Sequence, residues 1–199
     1  MKHLKAQAAA VAAAMTLIAL LGASTASSNV LCKTATNPCS SAYPEKTALK
    51  ADLTSKQSIL ELTTSENTEL TRCGKETLTA TITNPGTVAT NVIAAGGLEF
   101  SECVGFTKVA VKTGPLEIRS IPGTVNGTIM AGEVEWTVNV VGADCKWRTT
   151  NADLGTLIGG ADPTLEVKLL FPSGFCYPES MLRWTASFTF TNPIYVEPS

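Results

Sequence analysis

Short runs of residues that alternate in polarity constrain the fold of this 199-residue chain more than any other feature. In residues 133–140 every even-numbered residue is apolar and every odd-numbered one is polar, and residues 77–83, 164–171 and 183–191 follow the same pattern almost without exception. A period of two directs one set of side chains into a core and the other into water. Each run therefore predicts a half-buried β-strand.

Weaker runs and turn motifs extend this pattern over most of the chain. Further strands are predicted at residues 58–64, 88–94, 97–103, 106–113, 116–121 and 124–131. The breaks between runs carry residues that fix or free the backbone: Asn84-Pro85-Gly86, Gly114-Pro115, Ile121-Pro122-Gly123, Gly159-Gly160 and Phe171-Pro172-Ser173-Gly174. About ten short strands at this spacing predict an all-β fold, an antiparallel β-sandwich or a barrel-like variant of it. Only residues 48–55 favour a short helical turn.

The first residues have the pattern of a secretory signal peptide. Lys2 and Lys5 precede an apolar stretch from Ala8 to Leu21, and small residues follow up to Ala26. We therefore expect cleavage after Ala26, a secreted or cell-surface protein, and no membrane span in the mature chain. Residues 27–47 predict an N-terminal arm tied by a disulfide, and residues 48–199 a single β-domain.

All six cysteines follow the predicted signal peptide, where an oxidising compartment favours disulfides. Six cysteines allow fifteen connectivities, and sequence alone does not choose among them. Short separations favour Cys32 with Cys39, Cys73 with Cys103, and Cys145 with Cys176. A metal–thiolate cluster is disfavoured, because the chain has no Cys-x-x-Cys couple.

Composition excludes several classes of function. The net charge of the chain is −2 and no basic cluster is present, so nothing predicts a nucleic-acid partner. The only histidine, His3, lies in the predicted signal peptide. Without histidine the mature chain offers no Ser/His/Asp or Cys/His catalytic group and no histidine-ligated metal. No cofactor and no metal site are predicted.

Several cysteine motifs resemble a known group of proteins. They are Val30-Leu31-Cys32-Lys33 through Asn37-Pro38-Cys39, Phe100-Ser101-Glu102-Cys103, Cys145-Lys146-Trp147, and Cys176 followed by Trp184. In these motifs the chain resembles small, uncharacterised, secreted actinobacterial proteins with six cysteines, over nearly its whole mature length. The resemblance implies secretion and paired cysteines, and it implies no activity.

Two candidate sites follow from the residues themselves. Trp136 and Trp184 fall on core faces, whereas Trp147 lies beside Arg148 in a stretch that reads as irregular. Trp147 is the aromatic that this pattern most favours for exposure, so a ligand-binding patch, if one exists, is predicted at Trp147, Arg148 and Tyr177. The alternative role of each residue, which the pattern favours more, is packing in the core or in a loop. Glu133 and Glu135 are the closest pair of carboxylates, but their position opposite the apolar face of a strand predicts a solvated surface.

The sequence thus favours a non-catalytic secreted or cell-surface module, binding or structural, with an extracellular protein, glycan or lipid as partner. The alternative is a secreted hydrolase that uses carboxylates alone, as glycosidases do. Glu133 and Glu135 would have to carry that chemistry across a cleft. The orientation of these two glutamates in the folded protein discriminates between the two hypotheses.

Overall fold

The structure, a computed structural model, describes residues 29–54, 58–63, 68–87, 91–104, 109–140, 143–171 and 181–198. The predicted signal peptide, residues 1–26, lies outside these ranges. Within them the chain is all-β. The strands are β1 Leu31–Cys32, β2 Ala48–Leu53, β3 Ser58–Thr63, β4 Thr68–Asn84, β5 Val92–Val104, β6 Val109–Thr113, β7 Leu116–Ser120, β8 Gly127–Val140, β9 Ala143–Ile158, β10 Thr164–Phe171, β11 Met181–Phe190 and β12 Tyr195–Val196.

The large sheet closes on itself as an eight-stranded antiparallel barrel. Its ring runs β2–β4–β5–β7–β8–β9–β10–β11 and returns to β2, so that the chain moves up and down around the barrel. β3 continues the position of β2 between β4 and β11, and β6 continues that of β7 against β8. The predicted all-β antiparallel fold is confirmed, in its barrel form, because β11 pairs with both β10 and β2 and so completes the ring.

The alternation seen in the sequence decides which side chains fill the barrel. In β8, Val134, Trp136 and Val138 are at most 1% exposed, as predicted for this strand. The inward faces predicted for residues 77–83, 164–171 and 183–191 are confirmed in the same way: Leu78, Ala80, Ile82, Leu165, Val167, Leu169, Phe171, Trp184, Ala186, Phe188 and Phe190 are all buried. The polar partners of these residues form the outer surface.

The predicted helical turn at residues 48–55 is wrong. Residues 48–53 form β2, which pairs with β4 on one side and β11 on the other. Leu49 and Ala51 face the core, while Lys50 and Asp52 are exposed. Hydrogen-bonded neighbours on both sides outweigh the weak local propensity of so short a segment.

The N-terminal arm is tied to one end of the barrel. The Cys32–Cys39 disulfide closes its loop, and β1 pairs with β12 near the C-terminus. Leu31 and Tyr43 join the same hydrophobic core, and the Tyr43 hydroxyl donates a hydrogen bond of 2.7 Å to the carbonyl of Pro193. The predicted disulfide-tied arm is therefore confirmed, and its apolar side chains extend the core of the barrel.

Apolar side chains fill the half of the barrel next to this arm. A cavity of only about 20 Å³ remains among them, lined by Leu49, Leu78, Ala80, Ala94, Leu116, Ile118, Ile129, Leu157, Phe190 and Ile194. The polar groups of the interior lie in the other half, near the junction of β2 and β3.

Candidate functional site

The wall of the barrel is irregular where β2 gives way to β3. Ladder pairs with β4 stop at Asp52–Thr77 and resume at Ser58–Cys73. Five residues of the chain lie between these pairs on the β2–β3 side, against three on β4. The two sides therefore cannot stay in one register across this interval, and among the described residues β4 has no ladder partner there on this side.

β4 and β5 are also irregular at this level. Gly74 and Lys75 are both exposed, and so are Ser101 and Glu102 on the paired stretch of β5. Two consecutive exposed residues interrupt the inward–outward alternation of a strand. Glu102 has a positive φ of 56°, a conformation that is uncommon outside glycine. Beyond this point, Cys73 and Cys103 form the disulfide predicted between neighbouring strands.

A cleft of about 650 Å³ opens beside this irregular region. Its volume lies within the range typical of small-molecule sites. Because β2, β4 and β5 contribute residues from both of their faces, the cleft reaches across the wall rather than lying on one surface of it. The residues that line it are Lys50, Asp52, Leu53, Gly74, Lys75, Glu76, Thr77, Glu99, Phe100 and Ser101.

On the outer rim of the cleft, the charges of Lys50 and Asp52 are paired with each other. Lys50 Nζ lies 3.1 Å from Asp52 Oδ2, and the Thr77 hydroxyl donates a hydrogen bond of 2.9 Å to Asp52 Oδ1. The hydrogen bond from Thr77 and the interaction with Lys50 lower the pKa of the Asp52 carboxyl. Asp52 is thus an ionised carboxylate whose charge is already balanced by Lys50 and by the hydrogen bond from Thr77.

Glu76 is the exception among the cleft residues. Its side chain continues the inward face of Leu78 and Ala80, and the residue is only 1% exposed. Neither carboxyl oxygen has a hydrogen-bond partner among the described residues. Burial raises the pKa of Glu76 to about 8, and the Ser58 hydroxyl opposes that shift without reaching hydrogen-bond geometry. At neutral pH this side chain is therefore mainly an uncharged carboxylic acid.

An aromatic cluster packs behind the cleft. Phe100, which pairs with Glu76 across β4 and β5, has its ring centroid 4.9 Å from that of Trp136. The centroids of Trp136 and Trp184 are 5.1 Å apart, in an edge-to-face arrangement. Trp184 Nε1 donates a hydrogen bond of 2.9 Å to Ser58 Oγ, the hydroxyl that influences Glu76. Carboxyl and aromatic groups thus form one contiguous interior cluster.

Two further polar groups inside the barrel lack partners. Nε1 of Trp136 and Nε1 of Trp147 are buried with no hydrogen bond among the described residues, and these two residues face each other across β8 and β9. An unsatisfied buried donor costs about 1 to 3 kcal/mol. Orphaned groups of this kind are unusual in a folded core. They set this half of the barrel apart from the apolar half.

Two residues of the ligand-binding patch predicted from the sequence, Trp147 and Arg148, fall within the described residues. Trp147 is 0% exposed, so the prediction of an exposed tryptophan is wrong. Residues 145–148 belong to β9, whose alternation turns Trp147 inward and Arg148 outward, because neighbouring residues of a strand face opposite sides. Tyr177 lies outside the described residues.

Glu133 and Glu135 lie on the outer face of β8, as predicted. Arg148 Nη2 contacts Glu133 Oε2 at 2.5 Å, and Lys146 Nζ lies 3.4 Å from Glu135 Oε1. Both cations come from β9, the neighbouring strand. These carboxylates therefore belong to cross-strand ion pairs on an open surface and do not face each other across a cleft.

The disulfides follow the predicted pairing as far as the structure describes them. Cys32 is bonded to Cys39 and Cys73 to Cys103. Cys145 is also disulfide-bonded, and Cys176, its predicted partner, lies outside the described residues.

The sequence contained a signal for Glu76 that its residue type concealed. Leu78, Ala80 and Ile82 define the inward face of β4, and one further step of two toward the N-terminus reaches Glu76. Because that position holds a glutamate, the pattern of alternating apolar residues stops at Leu78, and the pattern alone does not predict that Glu76 is buried. Burial there depends on strands that are distant in sequence.

Comparison with protein-family models, with curated proteins and with solved structures gave no match for this chain. Within the described ranges, no helix has the length and apolar character needed to cross a membrane.

Proposed function

We propose that this protein is a non-catalytic, secreted or cell-surface β-barrel that binds a small ligand in the cleft between β2, β4 and β5. The cleft itself carries the proposal, because it combines a volume suited to a small molecule with polar residues on its rim and Phe100 and Leu53 beside them. Closed eight-stranded barrels have interiors that are just filled by side chains or that hold one small ligand.

The carboxyls of the cleft favour binding over acid–base catalysis. Asp52 has a lowered pKa and Glu76 a raised one, which is the division found in many pairs of catalytic carboxylates. However, Asp52 is exposed on the outside of the barrel and bonded to Thr77, the residue after Glu76, whereas Glu76 faces the interior. The two carboxyls thus project from opposite faces of the wall, where they do not flank a common substrate bond.

A thermal-shift screen tests the proposal with the oxidised mature protein against a panel of small amines, carboxylates, sugars and short lipids. Each ligand that stabilises the protein is titrated again into a Ser101→Trp variant, which adds bulk at the cleft. Thr150→Trp places the same bulk on an exposed strand position away from it. We expect binding to be lost in the first variant and kept in the second. Equal binding to both variants, or no ligand at all, would contradict the proposal.

A further inference from the structure

We infer that the ligand of this cleft is an organic ammonium ion, whose cationic group is held against the carboxyl of Glu76 beside the ring of Phe100, with the rings of Trp136 and Trp184 packed behind Phe100. This inference rests on the function proposed above, and it deepens that function by naming a chemical class. Three features carry it: a cleft of suitable volume, an unpartnered buried carboxyl among the residues that line it, and a cluster of aromatic rings in contact with that lining.

The first step concerns charge. Among the described residues no donor forms a hydrogen bond with the buried Glu76 carboxyl, so only the nearby Ser58 hydroxyl stabilises its ionised form, and it does not offset the effect of burial. Of the described charged residues near the cleft, Lys50 is bonded to Asp52 on β2, and Lys75 of β4 and Glu99 of β5 are exposed. Within the described part of the chain, burial and the Ser58 hydroxyl shift the pKa of Glu76, and none of the described cations contributes. A ligand cation would supply the missing partner.

The second step concerns the aromatic rings. A cation is attracted to the face of an aromatic ring, most strongly to tryptophan, and quaternary ammonium groups are commonly recognised by several rings together. Phe100 joins the two parts of the site, because it lines the cleft and lies 4.9 Å, between ring centroids, from Trp136. Trp136 and Trp184, whose ring centroids are 5.1 Å apart, are buried behind Phe100 and add to the negative potential of the aromatic cluster without lining the cleft. An alkylammonium ion would therefore find apolar contact and charge stabilisation in one place.

Binding of such a cation is coupled to loss of a proton. The ligand enters as a cation, the Glu76 carboxylic acid releases one proton to solvent, and the resulting carboxylate pairs with the ligand. Because the pKa of Glu76 in the free protein is about 8, binding near neutral pH releases close to one proton per ligand. Affinity then rises by up to about tenfold per pH unit below that pKa and levels off above it.

The experiment compares choline with its uncharged analogue 3,3-dimethylbutan-1-ol. Choline carries a permanent charge, so that only protein groups titrate. Intrinsic fluorescence follows binding, since all three tryptophans, Trp136, Trp147 and Trp184, are buried in the barrel interior. Calorimetry in buffers of different ionisation enthalpy counts the released protons. We expect choline to bind at least about tenfold more tightly than the alcohol, with proton release near pH 7 and none well above pH 8.

Two glutamine variants identify the carboxyl involved. Glu76→Gln should weaken choline binding by about tenfold or more and abolish both its pH dependence and its proton release. Glu166→Gln removes an exposed carboxylate of β10, which is not among the residues lining the cleft, and should leave all three unchanged. Because glutamine is nearly isosteric with a protonated glutamate, the first variant is expected to fold, and its circular dichroism spectrum provides the check.

Failure of this inference is distinguishable from failure of the proposed function. Equal affinity for choline and its neutral analogue would overturn the ammonium inference, as would choline binding that Glu76→Gln leaves intact. A sugar or carboxylate that Ser101→Trp excludes, in a protein that binds no alkylammonium ion, would overturn the inference while supporting the cleft as a binding site. Absence of any ligand that depends on the cleft would contradict both.

Discussion

Glu76 shows how a single side chain acquires its chemistry from its surroundings. On the surface it would be an ordinary carboxylate, but inside the barrel none of the described residues forms a hydrogen bond with it, and burial raises its pKa from 4.5 to about 8. Between about pH 4.5 and about pH 8, the Glu76 carboxyl is therefore mainly protonated in the folded protein and mainly ionised in the unfolded chain. The stability of the protein must then depend on pH.

Replacement of Glu76 by glutamine should remove that dependence. A carboxyl with a raised pKa in the folded state contributes stability that is complete below the unfolded pKa and is lost as pH rises through the folded pKa. Wild type should therefore lose stability relative to Glu76→Gln between about pH 4.5 and about pH 8. The difference should grow by up to about 1.4 kcal/mol per pH unit. Urea unfolding of both proteins across this range measures it, and parallel pH profiles would contradict the assignment.

Two tryptophans in the same cluster should respond differently to the same substitution. Trp184 Nε1 is bonded to Ser58, whereas Trp136 Nε1 has no partner among the described residues. Replacement of Trp184 by phenylalanine breaks that bond and leaves the buried Ser58 hydroxyl without its donor. Trp136→Phe removes a donor that is already unsatisfied. We expect Trp184→Phe to cost about 1 to 2 kcal/mol more in unfolding free energy. Equal costs in urea denaturation would indicate that Trp136 has a partner, such as an ordered water.

At the level of the strands, β9 pairs with β8 on one side and β10 on the other, and its pairing with β8 contains a shift in register. Ile129 of β8 pairs with Gly155, while Met130 pairs with Asp153, so that Leu154 is an extra residue on β9. This is a β-bulge, which sharpens the bend of a strand in a closed barrel. Gly155 has a φ of 155°, and a Cβ atom there would collide with the backbone carbonyl of Glu166 on β10.

Alanine at position 155 should therefore destabilise the barrel. We expect Gly155→Ala to lower the free energy of unfolding by about 2 kcal/mol or more, because the neighbouring backbone must move. Gly97→Ala is a suitable comparison, since a Cβ atom there meets only Thr79 Oγ1, at an ordinary 3.6 Å. That variant should change the unfolding free energy by less than about 1 kcal/mol. A similar cost for both substitutions would show that the bulge adapts easily.

The strands also show where local patterns predicted the wrong element. The local propensity of residues 48–55 favours a helical turn, because local propensity takes no account of strands β4 and β11, which pair with this segment. Gly114-Pro115 was predicted as a turn, and it does separate β6 from β7. Both strands nevertheless pair with β8 in the same direction, and Gly114 and Gly132 donate backbone hydrogen bonds across the break. A turn signal marks an interruption of pairing but not a reversal of the chain.

The disulfides act at the scale of the whole molecule by limiting the unfolded chain. The Cys73–Cys103 bond spans 30 residues and joins neighbouring strands of the barrel, whereas Cys32–Cys39 spans 7 and ties the arm. On the chain-entropy estimate, these loops contribute about 3.7 and about 2.5 kcal/mol respectively. The barrel buries a continuous core that includes residues from β2, β4, β5 and β7 to β11.

Removal of either disulfide should lower stability without preventing folding. The double substitution Cys73→Ala with Cys103→Ala should cost more unfolding free energy than Cys32→Ala with Cys39→Ala, because it opens the longer loop. Both variants should keep a strand-dominated circular dichroism spectrum, since a domain of this size can bury an adequate core without cross-links. Thermal and urea unfolding provide the comparison. An unfolded β4–β5 variant would show that the core is weaker than its burial suggests.

The sequence by itself determined the all-β class and the side chains that face inward along its strongest strands, and it favoured, without deciding, the pairing of Cys32 with Cys39 and of Cys73 with Cys103. These properties depend on residues that are close in the chain, because alternation and neighbouring strands are local. Closure into a barrel, the irregular wall beside β4, and the burial of Glu76 and Trp147 were decided only by the tertiary structure. Each of them depends on the register of strands that are distant in sequence, and that register sets which face of a strand is the inside.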